Sequence, residues 1–223
     1  MLTTLGKNIL GIGVALVVVG IAVPLFHSPK PKLSPIDYSV KGKPLYSAMI
    51  RISTKNGICT ATVISRNYAI TAGHCVVGQI GDKYNVGSVS GNTYKPKTVK
   101  AIAVRGFMYG GIDAGLLKGD FSDFSYAPIE NGDLNYTHPL VSCGHAAGSP
   151  TPMCRPLIPA QPYGFIAVGM GNLIPGMSGG PVIDVITGRV VGINSAQDGN
   201  AAFFTPTTKL LAFFGLESLD DID

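Results

Sequence analysis

This sequence has few charged residues and no tryptophan. Charged residues make up 13% of its 223 positions, about half of the usual share. The net charge is +4, and the one loose cluster of basic residues, Lys95, Lys97 and Lys100, carries no aromatic stacking pattern. Such a cluster is typical of a solvated strand or loop, so we do not expect a nucleic-acid partner.

The sequence also lacks a CxxC pair, a repeat of fixed period and a low-complexity tract. The missing CxxC pair argues against a zinc site, and we expect neither a metal nor a cofactor. Four cysteines, an even number in a chain with an export-like segment, favour disulfides in an oxidising compartment. They are Cys59, Cys75, Cys143 and Cys154.

The export-like segment is a continuous apolar run from Ile9 to Phe26, interrupted only by three glycines and Pro24. At 1.5 Å per residue a helix of this length spans about 27 Å, close to a bilayer core of about 30 Å. We therefore predict that residues 1–27 are an uncleaved membrane anchor. A signal peptide whose cleavage releases a secreted protein is the alternative.

A proline-rich tether at 28–44 is expected to hold the folded domain, residues 45–216, slightly off the membrane. The domain contains short β-branched or aromatic runs bounded by turn residues, which predict strands and an all-β fold. These runs are 46–53, 58–65, 68–73, 98–104, 115–117, 140–144, 163–169, 181–185, 189–196 and 201–205. Residues 207–214 are predicted to form a short helix, because Pro206 before them and Gly215 after them are typical of the start and the end of a helix. The acidic tail at 217–223 is expected to be solvated.

Two stretches carry chemistry, Thr71–Cys75 (TAGHC) and Pro175–Pro181 (PGMSGGP). A serine hydroxyl is a poor nucleophile unless a base takes its proton, and the pKa of histidine suits that task near neutral pH. The glycines of the second stretch suit a sharp turn that exposes Ser178. The backbone N–H groups of Gly176 and Ser178 can then face a developing oxyanion.

Together, in this order and in an all-β chain, the two stretches resemble the trypsin/chymotrypsin superfamily of serine peptidases, the PA clan, over about Leu45 to Gly215. The resemblance implies two packed six-stranded antiparallel β-barrels, at about 45–135 and 136–205, and the C-terminal helix. It also implies hydrolysis of polypeptides through an acyl-enzyme. We expect the protein to be a monomer.

By resemblance to the superfamily, His74 in the first motif is the general base and Ser178 in the second is the nucleophile. Gly176 and Ser178 form the implied oxyanion hole. The third triad member is predicted to be Asp113, in the stretch IDAGLLK 39 residues after His74. Asp120 and Asp123 remain alternatives.

The resemblance also concerns the cysteines. Cys59 lies 16 residues before Cys75, which resembles the disulfide that braces the histidine loop. Cys143 and Cys154 flank a stretch that resembles a disulfide-closed hairpin loop in some bacterial and viral members, with free thiols as the alternative. The histidines outside the motif, His27, His138 and His145, are expected to be loop residues.

By resemblance, three places form the pocket for the residue before the scissile bond. They are Asn172, the strand Ser195–Ala196–Gln197, which also pairs with the substrate backbone, and Ala202 to Phe204. Asn172 is not acidic, so a basic residue is not favoured there. Because Gln197 and Phe204 narrow the space, we predict a small or medium uncharged residue, with an acidic residue as the alternative.

One position departs from the animal digestive members, in which an aspartate precedes the nucleophile and pairs with a newly cut amino terminus. Met177 stands there, so activation by terminus insertion is not expected, and the GMSGG form is more similar to bacterial and viral members. The predicted function is a membrane-tethered serine endopeptidase. The alternatives are an inactive peptide-binding relative, a viral or phage processing peptidase of narrow specificity, and an esterase.

Overall fold

The computed structural model describes residues 39–40, 43–55, 57–76, 80–90, 93–105, 111–163 and 166–215. The predicted anchor at 1–27 and the acidic tail at 217–223 lie outside these residues, as does most of the tether. In the part of the chain that is described, no helix has the length and apolar character needed to cross a bilayer.

After a two-stranded ribbon, β1 (Ser39–Val40) and β2 (Lys43–Pro44), six antiparallel strands close into a first barrel in the order β3-β4-β5-β8-β7-β6. Closure leaves no unpaired edge strand. The strands are β3 (Met49–Thr54), β4 (Gly57–Val63), β5 (Tyr68–Thr71), β6 (Lys83–Ser90), β7 (Thr93–Arg105) and β8 (Ala114–Lys118).

A second closed barrel of six antiparallel strands follows, in the order β10-β11-β14-β13-β12-β9. Its strands are β9 (Leu140–Gly144), β10 (Met153–Tyr163), β11 (Ile166–Gly171), β12 (Pro181–Asp184), β13 (Val190–Asp198) and β14 (Ala201–Pro206). One helix, α1 (Thr207–Phe214), comes after β14 and ends before Gly215. The predictions of two six-stranded barrels and a C-terminal helix are therefore confirmed.

Apolar side chains fill each barrel and the seam between them. In β3, Ile50 and Ile52 are fully buried and Ser53 is exposed, which is the period-two alternation of a strand with one buried face. A third cluster joins Met49 and Leu116 of the first barrel to Ile193 of the second, and Leu210 of α1 packs on it. This shared core fixes the barrels against each other, so loops from both can meet in one site.

Both disulfides that the resemblance implies are present. Cys59 of β4 is bonded to Cys75 in the short helix that follows β5. Cys143 and Cys154 lie directly opposite each other on β9 and β10 and close the connecting loop. Two disulfides indicate that the protein folds in an oxidising compartment.

Candidate active site

Three loops bring the motif residues together. His74 lies in a 3₁₀ helix, Gly73–Val76, that begins just after β5. Asp113 immediately precedes β8, the strand that pairs with β5 in the first barrel. Ser178 lies in the connection from β11 to β12 of the second barrel, in the segment 175–180 that we call the nucleophile turn.

Asp113 holds His74 by two hydrogen bonds. His74 Nδ1 lies 2.7 Å from Asp113 Oδ2, and the backbone N–H of His74 donates to Asp113 Oδ1 at 2.8 Å. The Asp113 side chain is 0% exposed, whereas that of His74 is 42% exposed. Because an ionised carboxylate can only accept hydrogen bonds, the proton sits on Nδ1 and Nε2 presents its lone pair.

The charges of this pair follow from its contacts. Burial raises the pKa of Asp113, but the hydrogen bond and charge of His74, with a hydrogen bond from Ser195, outweigh it and lower the pKa below its usual value. The hydrogen bond to Asp113 raises the pKa of His74, although burial opposes this. Asp113 is thus ionised at neutral pH, and it increases the basicity of His74.

Two further residues hold Asp113. The Ser195 hydroxyl, on β13, donates to Asp113 Oδ2 at 2.6 Å. The Thr205 hydroxyl, on β14, donates to the backbone oxygen of Asp113 at 3.1 Å and accepts from its N–H at 3.4 Å. Both strands belong to the second barrel, so the position of this first-barrel carboxylate depends on the barrel interface.

The alternative carboxylates lie elsewhere. Asp120 and Asp123 are exposed in the segment after β8, and Asp120 Oδ1 accepts from the Ser122 N–H at 3.0 Å. The carboxylate within hydrogen-bond distance of His74 Nδ1 is that of Asp113.

The nucleophile turn has little room and an unusual backbone. Gly176 and Gly179 have φ values of 96° and 78°, a region that favours glycine. A Cβ atom on Gly179 would clash with the backbone oxygen of Thr60, and one on Gly176 with that of His145. Gly179 therefore lets the turn lie against the first barrel, and Gly176 lets it lie against the loop between β9 and β10. The Ser178 side chain between them is half-buried.

The Cys59–Cys75 disulfide lies beside both Ser178 and His74. Cys75 Sγ lies 3.7 Å from His74 Nε2 and 3.8 Å from the backbone oxygen of Ser178. Among the hydrogen bonds of the described residues, none joins Ser178 Oγ to His74 Nε2. In enzymes without substrate, hydrogen bonds between catalytic groups are often long and shorten in the Michaelis complex.

Two N–H groups of the nucleophile turn are free to bind an anion. Within the described ranges, the N–H groups of Gly176 and Ser178 donate to no protein acceptor. The Met177 N–H between them donates to Ile174 O at 3.0 Å. In a trans peptide the N–H points opposite to the preceding C=O, so the partners of Pro175 O and Met177 O decide where the two free donors point.

These two carbonyls have partners outside the turn. Pro175 O accepts from the Ala147 N–H at 2.7 Å, and Met177 O accepts from Asn194 Nδ2 at 3.2 Å. Asn194 is fully buried on β13, where Nδ2 also donates to Cys143 O at 2.8 Å. Ala147 lies in the loop closed by the second disulfide, with φ at 50°.

The predicted pocket residues fall into two groups. Asn172 is exposed, and Ala196 and Gln197 are half-buried on β13. Ala202 and Phe204 of β14 are buried in the core of the second barrel, where the Phe204 ring packs on Gly192. The Ser195 hydroxyl faces Asp113.

The Gln197 side chain connects β13 to the segment that contains Asn172. Its Oε1 accepts from the Leu173 N–H, and its Nε2 donates to Gly171 O at 3.1 Å and to Gly199 O at 2.5 Å. Both amide hydrogens therefore have backbone partners on the protein itself.

The sulfurs of Cys59 and Cys75 and the His74 ring form a compact cluster, with their ligand-type atoms within 4.8 Å of one another. The two sulfurs are bonded to each other, so neither is a thiolate. The cluster therefore offers a metal ion a single imidazole nitrogen, which does not fit a structural or catalytic zinc site.

Sequence reasoning missed Thr205, Asn194 and Ala147, and it assigned Ser195 to the substrate without its contact to Asp113. Their partners lie far away in the sequence, as for the Asp113–Thr205 contact across 92 residues. The signal available was weak: Asn194 and Thr205 are polar residues inside apolar strand runs, and a buried polar residue needs a partner.

Comparisons with known proteins concern the family and the fold of the chain. The sequence profile described as the trypsin-like peptidase domain matches residues 59–193. The sequence has no significant match among curated proteins.

Solved structures are similar to the chain at low identity. The active form of the Rv3671c protease from M. tuberculosis has a TM-score of 0.59 at 18% identity, over 77% of this chain and 82% of that one. A serine endoprotease from Yersinia pestis has a TM-score of 0.58 at 15% identity, over 73% and 60%. A human astrovirus serine protease has a TM-score of 0.56 at 16% identity, over 72% and 89%. At these identities the likeness concerns the fold alone.

Proposed function

Because the chain belongs to the trypsin-like peptidase domain family, we propose that it is a serine endopeptidase whose catalytic triad is His74, Asp113 and Ser178. The observation that carries the proposal is the buried Asp113 carboxyl group, whose Oδ2 lies 2.7 Å from His74 Nδ1. With Nδ1 bonded to Asp113, Nε2 is the nitrogen that can accept a proton, and Cys75 Sγ lies near both Nε2 and the backbone oxygen of Ser178. A base held in one tautomer beside a serine is what acyl transfer requires.

In the proposed reaction, Ser178 Oγ attacks the scissile carbonyl carbon while His74 Nε2 takes the hydroxyl proton. The negative charge that develops on the carbonyl oxygen is stabilised by the N–H groups of Gly176 and Ser178. His74 then gives its proton to the leaving amine, which forms the acyl-enzyme. Water, deprotonated by His74, hydrolyses the ester and restores Ser178.

Active-site labelling tests the proposal. The full chain is produced in an oxidising host and exposed to a fluorophosphonate probe, which reacts with activated serines. We expect covalent labelling that maps to Ser178 and is lost in Ser178→Ala. Ser122→Ala removes an exposed serine after β8 and serves as the matched control, with labelling retained.

A folded wild-type chain with both disulfides intact that does not react would contradict the proposal. The inactive peptide-binding alternative would then be favoured. Labelling at a serine other than Ser178 would contradict the triad assignment alone.

The proposed specificity is for a small uncharged residue before the scissile bond. Gln197 reaches from β13 to the backbone at Gly171 and Leu173, and thus spans the space between two of the proposed pocket walls. A side chain that crosses a pocket excludes large groups from it. The acidic alternative loses support, since both Gln197 amide hydrogens are already donated to backbone oxygens.

Gln197→Ala should therefore broaden the specificity. We expect kcat/KM for peptides with leucine or phenylalanine before the cut to rise about tenfold relative to peptides with alanine. A matched peptide series measures this change, and Asp198→Ala, an exposed neighbour on β13, is the control. An unchanged ranking of substrates in Gln197→Ala would show that Gln197 does not limit the pocket.

We further propose that residues 1–27 anchor the peptidase domain, residues 45–216, to a membrane through the tether at 28–44. The support is the apolar run from Ile9 to Phe26. The domain would then lie on the oxidising side that the disulfides indicate, as a monomer. The mass of the mature chain distinguishes an anchor from a cleaved signal peptide.

A further inference from the structure

Thr60 connects three parts of the molecule. It lies fully buried on β4, and its N–H donates to Ser178 O at 2.8 Å. Its hydroxyl donates to Gly176 O at 2.7 Å and accepts from the His145 N–H at 2.9 Å. Thr60 thus links the first barrel to the nucleophile turn and to the loop that the Cys143–Cys154 disulfide closes.

The contact with Gly176 O affects a proposed oxyanion donor. Gly176 joins two peptide planes. The first contains Pro175 O and the Gly176 N–H and is held by the Ala147 N–H, and the second contains Gly176 O and is held by the Thr60 hydroxyl. Glycine imposes little conformational preference of its own, so these outside partners must select the backbone conformation. If the second plane rotated, the first would shift with it, and the Gly176 N–H would turn away from the substrate oxygen.

We infer that Thr60 is a positioning residue for the oxyanion hole: its hydroxyl keeps the hole in its binding conformation in the absence of substrate. The inference rests on the proposed function. Without the hydroxyl, Gly176 O and the His145 N–H would both lose a buried partner, a cost that other conformations of the turn would relieve. Loss of a whole oxyanion donor lowers kcat about 10²- to 10³-fold, so misorientation of one donor should lower it about 10- to 100-fold.

Two matched pairs of variants isolate the hydroxyl from the packing. The wild type carries a hydroxyl where Thr60→Val carries a methyl group. Thr60→Ser carries one oxygen that Thr60→Ala lacks. We expect kcat to fall about 10- to 100-fold in Thr60→Val, with KM within about threefold of the wild-type value, and to be largely restored in Thr60→Ser. Thr60→Ala should lose activity relative to Thr60→Ser by a similar factor.

Inhibitor binding adds a readout that a packing role would not change. A peptide aldehyde forms a hemiacetal with Ser178 whose oxygen occupies the oxyanion hole, whereas the corresponding peptide alcohol does not. In Thr60→Val, the affinity for the aldehyde should fall by the same factor as kcat, while the affinity for the alcohol should stay within about twofold.

Thr62→Val is the matched control. Thr62 is a buried threonine on the same face of β4, and its hydroxyl lies 3.4 Å from Gly179 O. The two peptide planes beside Gly179 carry the N–H groups of Gly179 and Gly180, which donate to Asn194 O and Met177 O. Neither plane carries a proposed oxyanion donor, whereas one of the two planes beside Gly176 carries the Gly176 N–H. We expect Thr62→Val to keep kcat within about threefold of wild type.

Wild-type kcat in Thr60→Val, or equal losses in Thr60→Ser and Thr60→Val, would overturn the inference and leave the proposed function intact. If Thr60→Val does not fold, the comparison of serine with alanine decides in the same way. A folded wild-type chain that neither cleaves peptides nor reacts with the fluorophosphonate would overturn the proposed function, and this inference with it.

Discussion

Replacing His74 with alanine is expected to lower kcat by about 10⁵- to 10⁶-fold, the scale measured when the base of a serine triad is removed. The physical reason is that the Ser178 hydroxyl keeps its proton at neutral pH unless a base is within reach. KM should change little, because among the described residues the polar contacts of the His74 ring are with Asp113 and Cys75 and not with the residues of the predicted pocket. Steady-state kinetics on a peptide ester, which extends the measurable range, checks the size of the loss.

The chain offers a matched control in a second histidine–carboxylate pair. His138 Nδ1 lies 2.6 Å from Asp184 Oδ2, much as His74 lies beside Asp113, but its Nε2 is in contact with Asn135 Nδ2. His138→Ala should therefore keep kcat within about tenfold of wild type. Because triad members act as a unit, Ser178→Ala combined with His74→Ala should cost little more than either change alone. Activity of His74→Ala near the wild-type level would exclude His74 as the base.

The all-β class and the two chemical motifs could be predicted from the sequence because each depends on local pattern, whereas the pair of barrels was implied by the family resemblance that those motifs carry. Turn residues and apolar runs indicate strands, and TAGHC and GMSGG are contiguous. Two strands, β6 and β10, were not predicted. β6 reads KYNVGSVS, in which asparagine, glycine and serine dilute the apolar pattern.

β10 was missed for a different reason, since it contains Pro156, Pro159 and Pro162. Proline lacks an N–H and is disfavoured inside a sheet. Here β10 pairs with β9 over residues 153–157 and with β11 over 157–163, so each of the three prolines is paired on one side only. This staggered pairing, which tolerates proline, is a property of barrel closure and leaves no local signal.

The partners of the site residues could not be predicted, because they depend on contacts between strands far apart in the chain. Nothing near Thr60 in the sequence indicates that its hydroxyl meets Gly176, 116 residues later. Resemblance gave Ser195 a role at the substrate, whereas its hydroxyl is committed to Asp113. Burial of polar side chains explains both contacts, since each hydroxyl needs a partner once it leaves water.

Asp113→Asn is expected to lower kcat by about 10⁴-fold, the scale known for this change in trypsin. An asparagine amide can donate to Nδ1, which would place the imidazole proton on Nε2, where it blocks transfer from Ser178. Asp120→Asn and Asp123→Asn, at the two exposed alternatives, are the controls and should leave kcat within about threefold. A loss in either of these variants instead of Asp113→Asn would move the third triad position to that residue.

The pH profile separates loss of the carboxylate from a general loss of structure. Only neutral His74 can accept the serine proton, so kcat/KM falls as the pH drops through the pKa of His74. In the wild type, the hydrogen bond to Asp113 raises that pKa, so the acid midpoint should lie above the ordinary histidine value of about 6.5. In Asp113→Asn this support is removed, and the midpoint of the residual activity should move to lower pH. A partly unfolded variant would lose activity without that shift. In a variant that is folded like the wild type, an unchanged midpoint would mean that Asp113 does not set the basicity of His74.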